Sequence, residues 1–169
     1  AYDLFGNSLG DSRNLGIANT RAQNVVAYVS PTFGGVSGVV AKVTNADNGA
    51  ATSATTEATT ALVKFAGGPV TVGVGMDAFN NSIDTKVINL GASFAIGSAK
   101  IVAMYQKTSD VSAIYDEQSV MGVGASMAFG NHTVKAQYYT VSDTPVGGGA
   151  DTEGKLMAVG YDYAFSKTF

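Results

Sequence analysis

The sequence predicts an all-β fold, a transmembrane antiparallel β-barrel, and three observations carry that reading. Segments of about ten residues repeat a two-residue hydrophobic period, their connections alternate between short and long, and the polar side of each segment lacks the dense charge of a water-facing sheet.

The first two segments, 21–30 and 36–43, flank the turn Pro31-Thr32-Phe33-Gly34-Gly35, and 59–66 follows after a long polar excursion. All three are rich in β-branched and aromatic residues and bounded by turn formers. Segment 69–79 shows the period most clearly: Val70, Val72, Val74, Met76 and Ala78 point one way, and Thr71, Gly73, Gly75 and Asp77 the other. Segment 86–96 repeats it, with Ile88, Leu90, Ala92, Phe94 and Ile96 opposite Val87, Asn89, Gly91 and Ser93. Segment 99–107 comes next, and then 118–129 alternates Met121, Val123, Ala125, Met127 and Phe129 with Gly122, Gly124, Ser126 and Ala128. Segments 132–141 and 155–165 complete nine strands, and no helix is needed.

Gly67-Gly68, Gly97-Ser98 and Gly130-Asn131 serve as short turns, while 44–58, 80–85, 108–117 and 142–154 are long polar loops. Strict alternation puts every turn at one end of the sheet and every loop at the other. Asp47, Glu57, Asp84, Asp110, Asp116, Glu117, Asp143, Asp151 and Glu153 follow the loops, so that rim is acidic and solvated. Divalent cations or lipopolysaccharide-associated ions could use such acids, but simple solvation is the favoured reading. The run NADNGAATSATTEATT reads as an exposed loop within one domain.

Composition removes other classes. A mean hydropathy of +0.15 comes without any apolar run near the roughly 20 residues a spanning helix needs. Zero Cys and one His, His132, leave few parts for metal sites or acid–base catalysis, so no cofactor, metal or enzymatic activity is expected. A net charge of −3 with dispersed Lys and Arg argues against nucleic acid. Gly73-x-Gly75-x-x-Ala78 partly matches a dinucleotide fingerprint, but it lies inside a strand and opens no helix. His132, at a strand start, suits an interface or the surface. The glycosylation-like sequons Asn80-Asn81-Ser82 and Asn131-His132-Thr133 carry no weight. Ala1 opens the chain without Met or leader, which reads as a mature or truncated start.

A soluble sandwich hides its apolar face and charges the other, whereas here Phe79, Phe94, Tyr105, Phe129, Tyr138, Tyr161, Tyr163 and Phe165 recur near strand ends on the apolar side. That is the inverted pattern of an outer-membrane barrel, with lipid against the apolar band, aromatics at the interfaces and water in the lumen. Only a closed sheet satisfies its edges in lipid. Because single-chain bacterial barrels have even strand counts, nine strands predict an interior piece of a longer barrel. The rival fold is a soluble or surface-attached β-sandwich for adhesion or assembly, which detergent-free solubility would distinguish.

Specific residues add a resemblance. RAQNVVAYVSPTFGG, through Arg21, Asn24, Tyr28, Ser30, Pro31, Phe33 and Gly35, resembles the strand-and-turn signature of the general, neisserial-type trimeric porins of β-proteobacteria. VGYDYAFSKTF, through Gly160, Tyr161, Tyr163, Ser166, Lys167 and Thr168, is similar to the family's Gly-Tyr-x-Tyr turn. Ala27 and Val29 stand where many relatives carry Arg and Asp, and the Arg expected after Lys167 is missing. The resemblance implies a porin-like barrel of sixteen strands, a homotrimer in the outer membrane of a Gram-negative bacterium, in contact with lipid and lipopolysaccharide. Residues 1–20 would then be the constriction loop and 21–169 transmembrane strands and loops, the sixth through fourteenth.

The expected function is a water-filled channel for passive diffusion of small hydrophilic solutes and ions. By the alternation, Arg21, Lys42, Lys64, Lys100 and Lys135 line the pore against Asp77 and Asp162, a basic lean that predicts a weak preference for anions. The alternative is solvated wall charge without selectivity. Asp3, Asp11 and Arg13 would face Arg21 across the constriction and set up a transverse field.

Overall fold

In a computed structural model, residues 24–44, 57–80 and 84–165 are described. They form one antiparallel sheet of nine strands in chain order: β1 (Val25–Val29), β2 (Val36–Val43), β3 (Glu57–Gly67), β4 (Val70–Asn80), β5 (Lys86–Ile96), β6 (Ala99–Ser109), β7 (Tyr115–Phe129), β8 (His132–Pro145) and β9 (Thr152–Tyr163). Every strand pairs with its sequence neighbours, β1 and β9 are the two edges, and no second layer lies on the sheet among the described residues. The sandwich alternative, which needs two packed sheets, is thereby overturned.

The nine segments read from the period are the nine strands, and 36–43 and 86–96 agree to the residue. The larger differences lie at the loop end, and those at the turn end are of one or two residues. Strand β3 begins at Glu57, β6 runs to Ser109, β7 begins at Tyr115, and β8 continues to Pro145, because polar residues there pair across strands as well as apolar ones do. The register slips once, between Tyr115 and Glu117, where the β7–β8 ladder leaves the apolar band.

Turn chemistry fixes the other end. Gly68-Pro69, Gly97-Ser98 and Gly130-Asn131 are two-residue connections in which the glycine alone has positive φ, 53°, 57° and 60° respectively. That is the arrangement of type II′ hairpin turns, whose twist matches the strands they join. The first of these turns is one residue later than its sequence suggests, since Gly67 closes β3. In the β1–β2 turn the hydroxyl of Ser30 accepts from Gly38 N–H at 2.7 Å. Gly35, at φ 84°, lies so close to the β3 backbone that a Cβ would stand 2.5 Å from the carbonyl oxygen of Ala66. The Ser30 and Gly35 of the first motif are thus requirements of one tight corner.

The ladder is also staggered. The cross-strand row containing Lys64, Gly73, Gly91, Met104, Gly122, Tyr139 and Leu156 starts three residues from the turn end of β3 and stands seven from the turn end of β8. Such a climb is the tilt that a barrel wall needs. Strands of 11 residues, as in β3 to β6, then suit the 9–11 expected of a tilted membrane-spanning strand.

Candidate functional site

Because successive side chains alternate, the register assigns every described residue to one of two faces. Val72, Val74, Met76, Ile88, Leu90, Phe94, Ile101, Met121, Val123, Met127 and Met157 share one face, and all are exposed. The buried side chains Ala58, Val87, Val102, Val120, Tyr139 and Val141 lie on the other, together with the buried polar Gln106, Thr108 and Gln137. An apolar face open along its whole length beside a polar face that packs within itself is the reverse of a water-soluble sheet.

At the turn end, the apolar face carries an aromatic cluster. Phe129 stacks on His132 with centroids 5.4 Å apart, His132 meets Tyr163 at 4.9 Å, and Tyr163 meets Phe165 edge-on at 4.8 Å. His132 Nδ1 is 2.5 Å from the Tyr161 hydroxyl. The histidine thus belongs to a local cluster of aromatic side chains of the kind that sits at a membrane–water interface. Phe79, expected among these aromatics, stands instead on the polar face in phase with Asp77, because it follows the apolar series of β4 by an odd step.

The polar face holds Lys64, Asp77, Lys100, Lys135 and Asp162, as the alternation predicts. Lys42 is a correction. It pairs with Val26 and Thr59 in phase with Val40, so it stands on the apolar face at the loop-side rim and forms an exposed ion pair with Glu57 at 3.4 Å. β2 is valine-rich on both faces, so without a register its sequence groups Lys42 with the polar set. Asp3, Asp11, Arg13 and Arg21, and the constriction-loop stretch 1–20, lie outside the described residues.

The sequence reading missed Asp143, which shares the polar face and accepts from Gln118 Nε2 at 2.8 Å. The sign of the wall changes with it. In the loop-side half stand Asp77 and Asp143; in the turn-side half stand Lys64, Lys100 and Lys135 with Asp162. The basic lean expected along the whole wall is therefore an axial division, acidic toward the loops and basic toward the turns.

Each acid is held by neighbours. The two carboxylate oxygens of Asp77 accept from Thr60 Oγ1 at 2.6 Å and Asn89 Nδ2 at 3.3 Å, Thr60 being its direct cross-strand partner. Asp162 pairs with Lys135 at 3.0 Å. Lys64 and Lys100 have no ion pair among the described residues. They look into a hollow of about 380 Å³ over β4 and β5, floored by Gly73, Gly75 and Gly91. Nothing in the periodicity reveals this hollow; it needs the register that sets Gly73 opposite Gly91.

Lys42 stands off the polar wall, so Lys42→Gln leaves the charge of that wall unchanged. Losing its exposed pair with Glu57 should alter stability by under about 1 kcal/mol in denaturant titration.

Comparison with known proteins agrees with this architecture. The sequence profile of the Gram-negative porin family matches residues 1–169. The anion-selective porin from Comamonas acidovorans superposes with a TM-score of 0.70 at 25% identity, over 86% of this chain and 46% of that one. A loop-deletion variant of OmpT, an outer membrane protein of Vibrio cholerae, gives 0.68 at 19% identity over 98% and 56%. A further solved porin gives 0.52 at 16% identity over 84% and 56%. The chain thus spans about half the length of the solved structures it matches, and no curated protein sequence matches it. With a profile match along its whole length and a sheet that shows its apolar face to the surroundings, the chain belongs to the Gram-negative porin family and is an outer-membrane β-barrel protein.

Proposed function

We propose that the protein forms a water-filled channel for passive diffusion of small hydrophilic solutes and ions, with a weak preference for anions. The observation that carries this reading is the division of faces. The exposed Val, Ile, Leu and Met face suits acyl chains, and the opposite face offers hydroxyl, amide, carboxylate and ammonium groups to water. Family and neighbours point to a channel rather than an enzyme.

The preference for anions is supported by Lys64 and Lys100, which no carboxylate neutralises among the described residues, and by the likeness to a porin that is anion-selective by name. It is weak because Asp77 and Asp143 oppose them in the other half of the wall, and charges separated by more than about 8 Å are largely screened at physiological salt. Residues 1–20 are assigned by the sequence resemblance to a loop that narrows the pore, with Asp3, Asp11 and Arg13 facing Arg21. The assembly proposed is a homotrimer. The loop-side rim of the apolar face, where Lys42 and Lys86 stand, suits the phosphates of lipopolysaccharide in the outer leaflet.

Reversal potentials across a planar bilayer in a KCl gradient test the reading. The expected result is a small potential of the anion-selective sign that moves toward cation selectivity in Lys64→Gln/Lys100→Gln. A clear cation preference in the unaltered protein overturns the selectivity, and absence of conductance overturns the channel.

A further inference from the structure

We propose that the inner wall carries a binding site for a small phosphorylated polyol, seated in the hollow between Lys64 and Lys100; the inference rests on the channel reading and deepens it. Three consecutive cross-strand pairs of β4 and β5 make the floor: Thr71 with Ser93, Gly73 with Gly91, and Gly75 with Asn89. None carries a side chain longer than asparagine. The flanking strands raise larger groups, Leu62 and Lys64 from β3 and Lys100 and Met104 from β6. Across three strand spacings of roughly 4.8 Å this makes a trough about 14 Å wide between its walls.

Size and chemistry select the occupant. At roughly 30 Å³ per water, about 380 Å³ holds about a dozen waters, more than a halide or a bare phosphate displaces and within the range of sites for small organic molecules. Two lysines line the hollow from opposite sides, Lys64 in the row of Gly73 and Gly91 and Lys100 in the row of Ala95, four residues nearer the turn; neither has an ion pair among the described residues, whereas Lys135, farther along the wall, is tied to Asp162. A lysine binds phosphate as a point charge, and a phosphomonoester presents close to two negative charges at neutral pH. The hydroxyls of Thr71 and Ser93 and the amide of Asn89 offer partners for polyol hydroxyls, and Leu62 and Met104 offer an apolar shoulder for its C–H face. Asp77, one inward position beyond Gly75, closes the loop-side end with a negative charge. It turns the phosphate of the ligand toward the lysines.

The test uses the protein purified from outer membranes and reconstituted into planar bilayers in KCl, with glucose 6-phosphate as probe and glucose and inorganic phosphate as comparators. Glucose 6-phosphate is expected to lower the open-channel current in a saturable way. Glucose should have no such effect, and inorganic phosphate an effect at least tenfold weaker. Lys64→Gln/Lys100→Gln should weaken the block at least tenfold, while Lys42→Gln leaves it intact. Gly75→Val keeps both charges but fills the hollow; its Cβ finds room 3.4 Å from Leu62 Cδ1, and it too should weaken the block. Equal block by inorganic phosphate, or block unchanged in the double variant or in Gly75→Val, overturns the site. Protein that passes no current in KCl alone defeats the channel reading instead. Line broadening of the glucose 6-phosphate ³¹P resonance by the detergent-solubilised protein, against the double variant and with circular dichroism verifying the fold, then decides the site separately.

Discussion

Leu90→Arg is expected to destabilise the folded protein in a lipid bilayer by about 2–4 kcal/mol, whereas Asn89→Arg, one residue earlier on the same strand, changes stability by under about 1 kcal/mol. Leu90 lies at the middle of β5, paired with Val74 on one side and Tyr105 on the other, and it is 43% exposed. In water an exposed leucine exchanged for arginine would be nearly neutral. In acyl chains the guanidinium loses its hydration at mid-depth, where no rim lies within reach for it to snorkel to. Asn89 has the same depth and the opposite direction. It donates to Asp77 at 3.3 Å, and an arginine there would exchange that amide bond for an ion pair in water. Equilibrium unfolding of bilayer-inserted protein, followed by circular dichroism, measures both. Similar small effects for the two variants would mean that neither face meets lipid, and the reverse order would put the lumen on the valine side.

The period of two made this contrast legible in the sequence, because Val70 to Ala78 and Ile88 to Ile96 alternate without interruption and the connecting glycines punctuate them. Strand count and order followed, since two-residue turns join only neighbours. Phase was lost where both faces are alike. β2 reads VSGVVAKV, and nothing local tells which valines are outward, so the alternation alone places Lys42 on the wrong face. Composition likewise concealed that the inner wall has its own apolar cluster. Val120, Tyr139 and Val141, with Met104 and Leu156 packed on them, share the face of Gly122 and Gly124, and a binary reading of glycine as polar wall leaves no place for a tyrosine. The split of wall charge depends on position along the strand in three dimensions. Lys64 and Asp77 are on one face but at different heights, since Lys64 pairs with Gly73, four residues nearer the turn than Asp77.

The tyrosine in that cluster defines the other large effect: Gly122→Val should destabilise the protein by about 1–3 kcal/mol, and that penalty should largely vanish in a Tyr139→Ala background. Gly122 on β7 and Tyr139 on β8 are direct cross-strand partners, and the ring lies across the glycine so closely that a Cβ there would fall 2.0 Å from Cε1 and 2.1 Å from Cδ1. No shift of a few tenths of an ångström absorbs such an overlap. The ring must rotate out of a site where it is 1% exposed, leaving Val120, Val141 and the flanking Met104 and Leu156 without their largest neighbour. Covering a strand glycine with a cross-strand aromatic restores the packing that the missing side chain would have supplied, so the pair behaves as one unit. Tyr139→Ala alone should cost about 3–5 kcal/mol as a large-to-small change in a packed cluster. With the ring gone, valine at 122 meets space and its β propensity favours the strand. Unfolding free energies of the two single variants and the double variant close the cycle. A coupling energy near zero would show that glycine and ring do not share that space, and the inner-wall cluster would then have to be held by contacts other than this pair.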